Sequence, residues 1–343
     1  MRRQKKEDHT KHAFSFVVIA SLRYSVLPFI YFLLVSAFLT AQNPPSFRVN
    51  TTLVKVPVTV FDLQGKILTE LTQDEFQLFD EEESRAIENF ILDKTALHVM
   101  LLLDVSGSVH EELNEIQTAA LRFAQSFGKE DRIAVISFSD RIHVLQDWTN
   151  NASLLRKSLA NLKRGYRTAL HDALLATAHE KLAQVSGKKV IILFTDGLDN
   201  ESQATFDELV DPLIESYISL YIVSRTRLVA PQILRSERVD FLNRVMQNIL
   251  KEKQDFVEIY FREKETSMSQ LAEATGGRAL FPQELKELKD TYIQIAKELK
   301  HQYVLTFRPP RTSGKQFRTI KVLCSQPVSR IYHRKRYAWS RLP

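Results

Sequence analysis

"VMLLLDVSGSVHEELNEIQ", residues 99–117, joins an apolar run to a polar stretch of a different period. Val99 to Leu103 is continuously aliphatic and reads as a strand buried on both faces. The residues after Val109 read as an amphipathic helix. Asp104, Ser106 and Ser108 fall at alternate positions of the connecting turn, with Gly107 between the two hydroxyls. Polar groups at the end of a buried strand are costly unless they have partners.

Outward from this stretch, strand and helix patterns alternate from about residue 97. Strands are expected at 98–104, 132–138, 141–146, 189–195, 218–224 and 278–281. Amphipathic helices are expected near 110–127, 151–161, 168–184, 205–215 and 284–299. "RIAVISFSDRIHVLQDW", 132–148, turns at Ser139-Asp140 and predicts one antiparallel edge strand. The remainder predicts an α/β fold, a doubly wound and mostly parallel sheet with helices on both faces. Ligands of such sheets sit beyond the C-terminal strand ends, where strand order reverses. Asp104 to Ser108 belong there.

Two later stretches add donors at the same end. "RGYRTALHDAL", 164–174, places Thr168 at a helix start, and "VIILFTDGLDN", 190–200, places Asp196 at the end of an apolar strand. Two carboxylates and three hydroxyls suit a hard cation: Mg²⁺ first, with Mn²⁺ and Ca²⁺ as alternatives. Hydroxyls are neutral ligands, so an ion held mainly by them keeps its charge and attracts a carboxylate from another molecule. Asp199 and Asn200 read as caps of the turn, and Arg167 as pointing outward toward an anionic partner. A lone Asp-x-Ser-x-Ser is equally a helix N-cap pattern; Thr168 and Asp196 in register give the metal reading its weight.

Asp104-Val105-Ser106-Gly107-Ser108, Thr168 and Asp196 resemble the metal-ion-dependent adhesion site of von Willebrand factor type A (VWFA) domains. The resemblance implies that Asp104, Ser106, Ser108 and Thr168 surround the metal and that Asp196 supports it, commonly through water. It covers about 97–300. The flanking "VTVFDLQGKILTELTQDEFQLFDEEESRAIENF", 58–90, and "LAEATGGRALF", 271–281, resemble a bacterial family of exported VWFA-related proteins with a leading β module.

The flanks have their own chemistry. Residues 1–41 carry 6 Lys/Arg against 2 acids, residues 308–343 carry 10 and none, and the body between them is acidic, with a net charge of −8. An acidic body argues against nucleic-acid binding. "MRRQKKEDHTKH" followed by an apolar stretch to Ala41 reads as a signal peptide cleaved after Ala41, or as a signal anchor if retained. Either predicts export to the periplasm, cell envelope or medium. No cysteine follows the apolar run, which excludes a lipoprotein anchor. Cys324 is the only cysteine, so no intramolecular disulfide forms, and it reads as a small apolar strand residue. Residues 42–96 alternate like strands and form a small β module. Residues 301–343 return to short basic strands expected to pack with it. The basic tail reads as a solvated face, with contact to an anionic envelope surface as the alternative.

Enzymatic readings lack their residues. "HEKLA" is not His-Glu-x-x-His, there is no Gly-x-Ser-x-Gly elbow or phosphate loop, and Ser106 stands where an aspartyl phosphotransferase needs its second carboxylate. The expected function is therefore an exported, non-enzymatic, metal-dependent protein-binding module that captures an acidic group of a protein partner. The alternative is a structural or assembly subunit of an envelope complex that uses the domain as a scaffold. Residues 226–264 look like an insertion, with a helix carrying Val239, Leu242, Val245, Met246 and Ile249, then a short strand "FVEIYF" at 256–261. It is expected to wall the metal site or to cover a sheet edge.

Overall fold

The computed structural model describes residues 53–106, 113–163, 165, 167–229, 247–311 and 314–339. The expected leader, Ser108 and the 239–246 part of the expected insertion helix lie outside them.

Burial along one strand sorts the fold into layers. In β5 (Leu97–Asp104), Val99, Leu101 and Leu103 enter one apolar cluster while Met100 and Leu102 enter another. Such alternation between two cores places a strand at the centre of a three-layer sandwich. The sheet around it contains β6 (Arg132–Phe138), β7 (Ile142–Thr149), β8 (Lys188–Thr195), β9 (Ile218–Ser224) and β10 (Ala279–Leu280). Its order is β10-β9-β8-β5-β6-β7, parallel throughout except for the β6–β7 hairpin at one edge. The chain leaves β5 toward β6 and β7, then returns to its other side at β8. Strand order thus reverses between β5 and β8, as the alternating pattern predicted.

The first face is covered by α1 (Leu113–Gln125), α2 (Ala152–Leu159) and α6 (Leu288–Lys300). The second is covered by α3 (Leu170–Ala176, continuing as a π-helical turn to Leu182), α4 (Asp207–Glu215) and α5 (Gln247–Ala274). Apolar residues recur at helical spacing: Ile116, Ala119, Ala120 and Phe123 on α1, and Leu288, Tyr292, Ile295 and Leu299 on α6.

The flanks form a second sandwich of two antiparallel sheets. One has the order β13 (Val328–His333), β1 (Val54–Asp62), β11 (Tyr303–Phe307), β4 (Ile87–Leu92). The other has the order β14 (Arg336–Ala338), β12 (Phe317–Cys324), β2 (Phe76–Asp80), β3 (Glu83–Arg85). Alternate residues Val54, Val56, Val58 and Val60 of β1 share a core with Leu78, Leu305, Ile320 and Val322. Each sheet therefore takes strands from both flanks, joined by pairs such as Val56↔Leu305 and Leu78↔Val322. Arg334, fully buried, donates to the Ile214 and Ile218 carbonyls at 3.2 and 3.4 Å and ties this sandwich to the end of α4.

One expected element is wrong. "FVEIYF" is not a strand; it lies inside the 28-residue helix α5. A strand would turn Val257, Ile259 and Phe261 to one face. Instead Val257 and Phe261 are buried and Ile259 is 55% exposed, as a 3.6-residue period requires. The β-branched and aromatic side chains that suggested a strand are overridden by packing along one helical face that continues to Met268, Leu271 and Ala272.

Candidate metal centre

Three adjacent strands, β5, β8 and β9, each end in a charged residue: Asp104 closes β5, Asp196 follows β8 and Arg225 follows β9. All three are nearly inaccessible to solvent. Asp104 is held from its own loop and from the adjacent strand β8. Its Oδ1 accepts from the Ser106 amide at 3.0 Å and the Ser106 hydroxyl at 2.5 Å, and its Oδ2 accepts from the Thr195 hydroxyl at 2.8 Å. Burial, together with the neighbouring charge of Asp196, pushes the Asp104 carboxyl up to about 6.

The Ser106 hydroxyl spends its proton on Asp104. Its lone pairs are left to act as a neutral ligand, and the carboxylate behind it increases their electron density. Asp196 is held differently. Its Oδ1 accepts from the Leu198 amide at 3.0 Å, and its Oδ2 accepts from Arg225 Nη2 at 2.9 Å. The same Nη2 donates to the Ser106 carbonyl at 3.1 Å, so a guanidinium bridges the first and third loops of the site.

Thr168 is carried by a loop pinned from three sides. Gly165 donates to the Val105 carbonyl at 2.9 Å and Ala169 to the Ser139 carbonyl at 2.8 Å. A Cβ on Gly165 would lie 2.1 Å from the Ser139 Cβ, so only glycine allows this approach. The Thr168 amide donates to Asn200 Oδ1 at 2.9 Å, and its carbonyl accepts from the Asn200 and Glu201 amides at 3.1 Å each. Asp199 accepts from the His171 amide at 3.0 Å and thereby caps the start of α3. Asp199 and Asn200 thus serve the loop architecture, as caps. Arg167 points outward, 65% exposed, and pairs with Glu201 of this chain.

Asp104, Ser106, Thr168 and Asp196 therefore stand on loops knitted together by hydrogen bonds; Ser108 lies outside the described residues. Among the described residues, no group of three or more His, Cys, Asp or Glu is placed to hold a metal ion. The donors that the described residues bring to this end of the sheet are the Ser106 and Thr168 hydroxyls, on neighbouring loops, and the Asp104 and Asp196 carboxylates. Their chemistry fits a hard divalent cation, with the Ser106 hydroxyl already oriented and part of the carboxylate charge compensated by Arg225.

Arg225 escaped the sequence reading although it has the same signal as the two aspartates, a charge directly after a buried apolar strand. Helix α5 also reaches this end of the sheet. Val257 and Phe261 pack with Val229 and Leu198, two residues beyond Asp196, and Glu265 pairs with Arg227 at 3.0 Å and accepts from Thr226 at 2.8 Å. Its C-terminal half, through Met268, Leu271 and Ala272, joins the core under the sheet. The helix accordingly flanks the site and covers the sheet.

Residues 99–198 match the family model of the von Willebrand factor type A domain. The match ends before α4, Arg225 and α5. Solved structures similar to the chain include an aerotolerance-related membrane protein from Bacteroides fragilis, 18% identical over 38% of this chain and 67% of that one, with a TM-score of 0.32. Another is the vWF domain of the type V pili tip protein Mfa5 from Porphyromonas gingivalis, 24% identical over 31% of this chain and 39% of that one, with a TM-score of 0.28. A third is proximal thread matrix protein 1 from the mussel byssus with a zinc occupied MIDAS motif, 13% identical over 66% of this chain and 50% of that one, with a TM-score of 0.44. The chain thus spans half or less of the last two. No curated protein sequence matches it.

Proposed function

We propose that the protein is an exported, non-enzymatic binding module that captures a carboxylate of a protein partner at a divalent cation, Mg²⁺ first. VWFA domains are commonly adhesion or protein-interaction modules. The observation that carries the reading is the Ser106 hydroxyl, which donates its hydrogen bond to the buried Asp104 and so turns its lone pairs toward a ligand. Ser106, Ser108 and Thr168 would hold the ion, with Asp104 and Asp196 behind them. When bound, the cation supplies a Lewis-acidic position at which a partner's carboxylate oxygen completes the coordination. The chain's own residues do the rest. Asp104 orients Ser106, the Asn200 and Gly165 hydrogen bonds hold the Thr168 loop, and α5 stands as a wall beside the Asp196 loop. Among the described residues no helix is long and apolar enough to cross a membrane, and export rests on the leader read from residues 1–41.

Capture of partners from an envelope extract tests this, with and without chelator and with Ser106→Ala and Thr168→Ala in parallel. The expected result is a partner retained by the wild type with divalent ion, lost on chelation and weakened by both substitutions. A partner unaffected by all three contradicts the reading. The scaffold alternative, an assembly subunit with little exchange at the site, is favoured by one observation: Arg225 already compensates Asp196. It predicts a stable complex insensitive to chelator.

A further inference from the structure

Arg225 is 1% exposed, so it does not reach a partner. It is always charged and its fork is rigid, so its effect on the site is a fixed positive charge at fixed places. Two of those places are Asp196 Oδ2 and the Ser106 carbonyl. Its backbone amide also donates to the Thr195 carbonyl at 2.9 Å, which fixes the base of the side chain against β8. The charged groups beyond it, Arg227 and Glu265, pair with each other. We propose that Arg225 is a resident counterion: it keeps the site assembled without an ion, weakens its hold on a divalent cation, and leaves the occupied site positive toward an acidic partner. The inference rests on the metal reading above and names the residue that sets its balance.

Charge sets the balance between cation and anion at this site. With Arg225 the empty site is one charge less negative than without it, which disfavours the cation, and the occupied site is one charge more positive, which favours a carboxylate. Because all the groups are buried, little solvent screens the effect. A residue that merely clamps two loops would have no such signature. Its loss would loosen the site and weaken cation and anion binding alike.

The test uses the full chain as wild type, Arg225→Lys, which keeps the charge, and Arg225→Met, which removes it; Arg225→Gln replaces the Met variant if that does not fold. Mn²⁺ alone is titrated by calorimetry, melting is recorded without divalent ion, and acetate is then titrated into the Mn²⁺-loaded proteins. Both variants should melt below the wild type, because the bridge to the Ser106 carbonyl is lost. The Met variant should bind Mn²⁺ about tenfold more tightly, and the Lys variant within about threefold of wild type. Acetate should bind more weakly to the loaded Met variant than to the other two. Wild-type binding that the Met variant does not exceed overturns the counterion role and leaves a loop clamp. Equal acetate binding by all three overturns the partner half. No Mn²⁺ binding by any of them sinks the metal reading itself, and this inference with it.

Discussion

The two ends of the six-stranded sheet bury charge for different purposes. At the N-terminal end, Lys188 lies 3.3 Å from Asp93 and donates to the Leu299 carbonyl at 2.6 Å. Asp131 accepts from the Leu97 and Gly128 amides at 2.9 and 2.7 Å. These partners join β5, β8 and α6 where the chain passes to and from the β sandwich, and each group's role is used up by the fold. At the C-terminal end, Asp104 is pushed toward its neutral form and accepts from the Ser106 hydroxyl, turning that oxygen's lone pairs away from itself. The N-terminal contacts hold the fold, whereas at the C-terminal end one closed pair, Asp196–Arg225, stands beside the Ser106 hydroxyl that Asp104 orients. This is the division expected of a doubly wound sheet, whose ligands meet its C-terminal strand ends.

Substitutions at the two ends should separate these roles. The largest loss belongs to the N-terminal end. Lys188→Met strands the buried Asp93 and should cost about 3 kcal/mol in denaturant unfolding. The response to divalent ion should be untouched; a lost response would mean the two ends are not independent. Gly165→Ala should cost about 2 kcal/mol, because the new methyl meets Ser139. Adding Ser139→Gly should recover most of it, and failure to recover would place the strain elsewhere. Phe261→Ala, which opens the contact between α5 and Leu198, should cost about 1.5 kcal/mol. Ile259→Ser, two residues away on the solvent side, should change stability by less than about 0.5 kcal/mol. Equal losses at 259 and 261 would contradict the helical face.

What the chain shows on inspection follows the same division. Asp104 and Asp196 were legible because each ends a continuous apolar run, and the hairpin at Ser139-Asp140 because a polar turn separates two alternating strands. The strand alternation of both flanks was legible too. Pairings such as Leu78↔Val322 were not, since nothing local encodes a register across so long a separation. The three-residue strand Glu83–Arg85 carries no apolar signal; it forms because Glu81, at a positive φ of 57°, turns the chain back on β2. α5 was misread for a physical reason. Val257, Ile259 and Phe261 satisfy strand alternation as sequence, and only burial distinguishes the two periods. Arg225 was visible as a residue but not as part of a site, because its role depends on β9 lying next to β8.

The proposed divalent cation at the β5 and β8 ends depends on the Ser106 hydroxyl that Asp104 orients. Its most direct test is thermal unfolding of the wild type and of Asp104→Asn across a Mg²⁺ and Mn²⁺ titration. An ion bound only by the native state adds about 2.7 kcal/mol at one hundred times its Kd. The wild type should show this rising stabilisation, reversed by chelator, and the Asn variant should melt at one temperature throughout. Identical behaviour of the two proteins, with or without ion, would contradict the claim.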